Sequence, residues 1–74
     1  MARNGTSELL KKARQQAIAD VVKDRRPRTQ RELVAALPNK GFRVTQATVS
    51  RDIGEMGLRK VRIDGALVYA LPAE

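Results

Sequence analysis

The stretch VTQATVSRD at residues 44–52 determines the fold prediction, although it first looks unsuited to a helix. It contains two valines and two threonines, which are β-branched and therefore weak helix formers. Thr45 is nevertheless a good N-cap, and Val49, Ile53 and Met56 recur after it at helical spacing. We therefore predict a helix from Thr45 to about Met56, closed by the glycine that follows.

The two sides of this predicted helix differ in chemistry. At about 100° per residue, Val49, Ile53 and Met56 fall on one side together with Asp52. The opposite side carries small or polar residues and one arginine: Ala47, Ser50, Arg51 and Gly54. Such a side can approach another surface closely, while packing of the inward side offsets the low helix propensity.

The residues before this stretch predict two more helices. The first is expected to run from Thr6 or Ser7 to about Asp24, after a loose terminus at residues 1–6, and Pro27 would stop it. Its apolar stripe consists of Leu10, Ala13, Ala17, Ile18, Val21 and Val22.

The second helix begins at TQRE, where Thr29 as N-cap and Glu32 at N3 fit the capping-box pattern. It should end at Pro38, followed by a turn in which Gly41 takes a positive φ.

After the third helix the sequence period changes from helical to alternating. Val61 and Ile63 alternate with Lys60 and Arg62, and Asp64-Gly65 then gives a two-residue hairpin signal. We expect Tyr69 in the second strand to be a core residue with its hydroxyl at the rim. Three helices followed by a two-stranded β-hairpin predict a winged helix-turn-helix, an α+β fold, as one domain over residues 1–74.

Composition favours a nucleic-acid partner and argues against an enzyme. The 74 residues include 15 Lys and Arg against 8 Asp and Glu, for a net charge of +7, which favours a polyanion. The chain has neither His nor Cys, so the usual general bases, thiol nucleophiles and zinc ligands are missing. Asp52 and Glu55 are expected on different sides of the third helix, without an obvious metal or base partner, and Asp52 is expected to pair with a neighbouring arginine rather than to make a catalytic contact. No apolar run is long enough for a membrane span, and we expect a cytoplasmic protein.

The third helix supplies the candidate residues for reading DNA bases. Arg51 can donate two hydrogen bonds to guanine in the major groove, and Gln46 can pair with adenine. Ser50 can reach a base edge, and Ala47 can touch a thymine methyl group. Each also has a purely structural interpretation; Gln46, for example, is equally an ordinary first-turn residue.

A second set is predicted to contact the DNA backbone, because its members are basic or lie at helix N-termini, where free amides favour phosphate. These residues are Arg28, Thr29, Gln30, Arg31, Thr45, Thr48, Lys60 and Arg62. The alternatives are a capping role for Thr45 and simple solvation for any one arginine.

Three segments resemble the N-terminal DNA-binding domain of the bacterial arginine repressor family. They are TQRELVAAL at 29–37, GFRVTQATVSRDIGEMGLRKV at 41–61 and YALP at 69–72. The resemblance implies a winged-helix domain that binds A·T-rich palindromic operators of arginine metabolism genes. It also implies that Gln46, Ser50 and Arg51 serve in DNA recognition.

The resemblance also implies a C-terminal domain that binds L-arginine and assembles hexamers, for which we expect no counterpart in this chain. Of the two alternatives, an isolated domain of a longer protein or a natural short version, we favour the isolated domain. We expect it to have no cofactor of its own and to be monomeric or weakly associating. Two other functions stay open. One is nonspecific binding of nucleic acid, including RNA, although a single Tyr and a single Phe offer no base-stacking platform. The other is protein interaction, for which the third helix lacks an apolar face.

Overall fold

Three α-helices precede a two-stranded antiparallel sheet in this computed structural model, which describes the backbone of residues 2–72 and the side chains of residues 9–72. The elements are α1 (Ala2–Arg25), α2 (Gln30–Ala36), a 3₁₀ helix (Leu37–Lys40), α3 (Gln46–Met56), β1 (Arg59–Ile63) and β2 (Ala66–Ala70). This order confirms the predicted α+β class and winged helix-turn-helix architecture. Within residues 2–72, no helix is both long and apolar enough to cross a membrane.

Helix α1 is longer at its start than predicted. It begins at Ala2, so the backbone is helical through most of the segment expected to be a loose terminus, and Met1 lies outside the described residues. The physical reason is cooperativity: once a helix has nucleated, extending it by further turns costs little even past weak local stop signals. At its other end, Arg26 has a φ of 49°, and its N–H donates to the Val22 carbonyl at 3.2 Å.

Helix α2 has half of the predicted capping box. The Glu32 N–H donates to Thr29 Oγ1 at 3.1 Å, as expected, but the Glu32 carboxylate accepts from the N–H of Arg28 at 3.3 Å rather than from Thr29. The helix ends at Ala36 and continues as the 3₁₀ helix. Pro38 therefore lies in the first turn of that helix, where its missing N–H costs nothing, and does not end the helical run.

The core lies where the three helices meet the start of the hairpin. Ile18, Leu33, Leu37 and Val49 are completely buried. Burial of each such aliphatic side chain stabilises the fold by about 1.5–3 kcal/mol. The whole cluster consists of Ala17, Ile18, Val21, Val22, Leu33, Leu37, Val49 and Leu58.

The predicted apolar stripe of α1 reaches the core only in its C-terminal half. Leu10 is 58% exposed and Ala13 is also exposed, whereas burial begins at Ala17. The predicted stripe is therefore not buried along its whole length: where α1 meets α3 at this level, the contacting residues are Lys11, Arg14 and Gln15 rather than Leu10 and Ala13.

The hairpin turn is built as Asp64-Gly65 predicts. Both residues have positive φ, 50° and 84°, as a two-residue type I′ turn requires. The register pairs Val61 with Val68, and Val68 is the buried residue of β2. Tyr69 is half-buried and packs against the core cluster, as expected of a core residue. The position of its hydroxyl at the rim stays a prediction.

The hairpin is also tied to the segment between α1 and α2. The Tyr69 N–H donates to the Pro27 carbonyl at 2.9 Å, a single hydrogen bond that bridges the two-stranded sheet and this segment. This bridge places the arginine-rich segment 25–28 next to the hairpin.

Candidate nucleic-acid interface

Helix α3 is fixed at both ends by its own sequence. Thr45 Oγ1 accepts from the Thr48 N–H at 3.3 Å, and Gly57 ends the helix in the left-handed conformation with a φ of 72°. Val49 and Asp52 are buried, so the helix presents a defined opposite side. The helical period of the sequence correctly predicts which side of α3 faces outward.

The predicted base-reading residues lie together on this outward side. Gln46, Ala47, Ser50 and Arg51 are all exposed on α3. A Cβ at Gly54 would meet nothing within 4 Å, so among the residues whose side chains the structure describes none covers the end of this face. Of the four predicted base-reading residues, Arg51 is the one with a charged side chain.

The two threonines predicted to contact the DNA backbone at α3 have roles within the helix start. The Thr45 and Thr48 hydroxyl oxygens are 3.3 Å apart, and Thr48 is half-buried. The capping interpretation of Thr45 is therefore correct, and contact of either hydroxyl with phosphate stays a prediction. Thr29 has the equivalent capping role at α2.

The basic residues at the start of α2 are open to solvent. Arg28 and Arg31 are exposed, whereas Gln30, the first residue of the helix, is half-buried. In residues 9–72, neither arginine forms an ion pair within 4.0 Å. Their guanidinium groups therefore have their full hydrogen-bonding capacity for another ligand.

Next to them lies a cleft of about 330 Å³ between the end of α1 and the hairpin turn. Its arginines are Arg25, Arg26 and Arg28, and its carboxylates are Glu32 and Asp64. The basic run at residues 23–31 includes Arg25 and Arg26, but of these three arginines the sequence singles out only Arg28 as a backbone contact. The packing of the hairpin against the end of α1 brings Asp64 to the other two.

The predicted hairpin residues lie on one face, but each also has a structural contact. Lys60 Nζ is 5.2 Å from the centroid of the Tyr69 ring, a cation–π distance. Arg62 Nη1 donates to the Gly65 carbonyl at 3.2 Å and so closes the turn. Both side chains remain exposed, as does Arg59 at the start of β1, which sequence reasoning missed.

The buried side of α3 is held to α1 by a polar clasp, formed by Lys11, Arg14, Gln15, Asp52 and Glu55. Arg14 donates to the Asp52 carboxylate through Nε and through Nη2, the latter at 2.8 Å. Gln15 Nε2 donates to Asp52 at 3.0 Å and to Glu55 at 3.2 Å, and Lys11 pairs with Glu55 at 2.7 Å.

The clasp corrects two expectations. Asp52 does pair with an arginine, but the partner is Arg14, which is 38 positions earlier in the sequence and not a neighbour. Asp52 and Glu55 do not lie on different sides of α3, since Gln15 reaches both. Residues three apart on a helix are surface neighbours, which is the physical reason.

The clasp shifts the titration of its buried members. Burial by itself raises the pKa of the Asp52 carboxyl, but hydrogen bonds from Arg14 and Gln15 and the positive charges of Arg14 and Lys11 outweigh it. The pKa of Asp52 is therefore held below its ordinary value. The hydrogen bond to Asp52 in turn raises the pKa of Arg14.

Together these features define a winged-helix DNA-binding domain: α2 and α3 form the helix-turn-helix, and the hairpin is the wing. Residues 9–74 match the family model described as "Arginine repressor, DNA binding domain". The chain belongs to the arginine repressor family through this domain, as the sequence resemblance predicts.

Curated relatives agree with this assignment. The chain is 51% identical over 67 residues to the arginine repressor of Symbiobacterium thermophilum, covering 89% of this chain and 45% of that protein. It is 48% identical over 61 residues to the arginine repressor of Anaeromyxobacter sp., covering 82% and 38%. The chain thus spans less than half of each relative's length. These relatives are named as repressors, a class of DNA-binding regulator and not of enzyme.

Proposed function

We propose that this domain binds double-stranded DNA in a sequence-dependent way, with α3 in the major groove of an A·T-rich palindromic operator. The observation that carries the proposal is the outward face of α3, on which Gln46, Ala47, Ser50 and Arg51 are all exposed. A helix of this kind fits the major groove, where each base pair presents a distinct pattern of donors and acceptors.

In this proposal the bases are read by four side chains. Arg51 donates to guanine O6 and N7, Gln46 pairs with adenine, Ser50 reaches a base edge, and Ala47 contacts a thymine methyl group. An apolar protein-docking role for α3 is disfavoured, because this face has no large aliphatic or aromatic side chain.

The backbone contacts are proposed to come from both sides of α3. At α2 they would involve Arg28, Thr29, Gln30 and Arg31, and at the start of α3 they would involve Thr45 and Thr48. Lys60 and Arg62 would extend them along the wing. These contacts would position the domain on DNA without reading the base sequence. The net charge of +7 would strengthen them by attracting the phosphates.

The whole protein is proposed to regulate transcription of arginine metabolism genes. The rest of a full-length relative would supply L-arginine binding and hexamer assembly, while this domain alone would be monomeric. Tethering several such domains would raise operator affinity, because the second domain then binds at a high effective concentration.

Fluorescence anisotropy tests the proposal. The chain would be titrated into a labelled A·T-rich palindromic duplex and into a scrambled duplex of the same composition, at several salt concentrations. We expect tighter binding to the palindrome that persists as salt rises. Identical curves that weaken together would contradict sequence readout. They would favour the second candidate, nonspecific binding through charge, which the exposed Arg28 and Arg31 also support.

A further inference from the structure

Residues 9–16 of α1 are held to the rest of the fold by polar contacts. Leu9 is 69% exposed and Leu10 is 58% exposed, and burial of apolar side chains in α1 begins only at Ala17. Over residues 9–16, every recorded hydrogen bond or ion pair to another element goes to α3, through the polar clasp. The clasp therefore determines how α3 sits against α1 on this side.

At the centre of the clasp, the Arg14–Asp52 pair has a geometry that restricts rotation. Asp52 is 1% exposed, the Arg14 side chain is 20% exposed, and two guanidinium nitrogens meet the two carboxylate oxygens. A fork-to-fork pair of this kind is planar and directional, unlike the point charge of a lysine. Asp52 follows Arg51 directly, so rotation of α3 that displaced Asp52 would also displace Arg51.

The pair is better explained by orientation than by stability. Removing two charges from water costs about as much free energy as their attraction returns, and apolar replacements of such pairs are often neutral or stabilising. Groups that recognise a ligand, however, must be held within about 0.5 Å and 10–20° of the productive geometry. A directional contact behind α3 meets that requirement.

We propose that Arg14 is a positioning residue for DNA recognition. Through its paired hydrogen bonds to Asp52 it fixes the rotation of α3 about its axis, and it thereby aims Ser50 and Arg51 at the base edges. Gln15 supports the same carboxylate at 3.0 Å. The inference rests on the proposed function, because it assumes that the outward face of α3 reads DNA.

The test compares Arg14→Met with Lys12→Met. Both remove one positive charge from α1, but Lys12 is exposed and forms no ion pair within the described side chains. Affinities for the palindromic and scrambled duplexes would be measured at a temperature where circular dichroism shows each variant folded. We expect Arg14→Met to reduce the preference for the palindrome by about 10-fold, the size of one well-aligned base contact, whereas Lys12→Met keeps the wild-type preference.

A second readout uses the free protein and does not depend on DNA binding. In ¹H–¹⁵N NMR spectra, Arg14→Lys and Arg14→Met should shift the amide resonances of residues 46–54, and Lys12→Met should not. Arg14→Lys keeps the charge and replaces the planar fork, so it guards against loss of folding in the Met variant.

The outcomes separate the two proposals. An unchanged preference in Arg14→Met, or unshifted α3 resonances in both Arg14 variants, would overturn the positioning role. A wild-type chain that does not distinguish the duplexes would instead contradict the proposed function, and the NMR comparison would then decide whether Arg14 orients α3.

Discussion

Arg51 and Asp52 are adjacent in sequence but have opposite surroundings. Arg51 is exposed on the outward face of α3, whereas Asp52 is 1% exposed and bonded to Arg14. The 100° turn between successive helical residues separates them, so one side chain is free for a ligand while the other fixes the helix. At the residue scale, the proposed recognition and anchoring roles therefore fall on adjacent residues.

Replacement of Arg51 by alanine should weaken palindrome binding by about 1–3 kcal/mol and relax the base preference, as expected for loss of a bidentate base contact. Anisotropy with the palindromic and scrambled duplexes checks this. If both affinities fell by the same factor, Arg51 would be a phosphate contact and not a reader of bases.

Replacement of Arg28 by alanine should have a different signature. Because Arg28 is proposed to contact phosphate, all duplexes should bind more weakly, and the slope of log K against log salt should flatten by about 0.9, the value for one phosphate. The measurement is a salt titration of wild type and variant on both duplexes, with Lys12→Met as the control for loss of one charge. A selective loss of palindrome binding in Arg28→Ala would contradict the assignment.

Some residue contacts could be predicted and others could not. The outward position of Gln46, Ser50 and Arg51 follows from helical period alone. The sequence predicts that Asp52 pairs with an arginine but does not identify Arg14, although both residues fall on the apolar side of their helices. Arg25 and Arg26 belong to a basic run that is visible in the sequence, but their cleft depends on where the hairpin packs.

At the scale of elements, α3 depends on its two ends. Thr45 caps the start, and Gly57 ends the helix at a φ of 72°, a conformation that costs residues with a Cβ about 1–2 kcal/mol. These local devices explain how a segment rich in valine and threonine forms a helix, and their sequence signals made the element predictable.

Two glycines of α3 give a matched pair of substitutions. Gly57→Ala should lower the free energy of unfolding by about 1–2 kcal/mol through left-handed strain, since its Cβ would meet only Pro72 Cγ at an ordinary 3.7 Å. Gly54→Ala should raise the free energy of unfolding by about 0.5–1 kcal/mol, because Gly54 is in regular helix and its Cβ would meet nothing within 4 Å. Urea unfolding followed by circular dichroism measures both. Equal effects of the same sign would contradict the assigned conformations.

The sequence predicts where the hairpin lies in the chain, but it does not predict which side chains of the second strand face the core. Asp64-Gly65 fixes the turn, whereas the second strand, ALVYA, is apolar on both faces and leaves Val68 and Tyr69 as competing core residues. The register decides in favour of Val68, because pairing across a two-residue turn places it opposite Val61.

At the scale of the whole molecule, α1 is much longer than the body it packs on. Its 24 residues span about 36 Å, and the molecule measures 47 × 26 × 19 Å. Periodicity predicts an apolar stripe along a helix, but it does not show how far the packing partners extend. Leu9 and Leu10 are exposed for this reason.

The clasp should make stability depend on acid. The folded pKa of Asp52 lies below its ordinary value, so the stabilisation is complete above that ordinary value and is lost as the pH falls through the folded pKa. The free energy of unfolding should therefore decrease from about pH 5 toward pH 2. Asp52→Asn and Arg14→Met should both flatten this decrease, as urea unfolding at several pH values would show. If the free energy of unfolding fell with pH as steeply in both variants as in the wild type, the Arg14–Asp52 pair would not be the source of the acid dependence.

The central claim is that the outward face of α3 contacts DNA, and NMR titration of the ¹⁵N-labelled chain with the palindromic duplex tests it most directly. The largest amide shifts should fall on residues 46–51, with smaller ones at 28–31 and 60–62 and none around Asn39, which belongs to the 3₁₀ helix between α2 and α3. Shifts concentrated at residues 9–13 of α1, with residues 46–51 unchanged, would contradict the account.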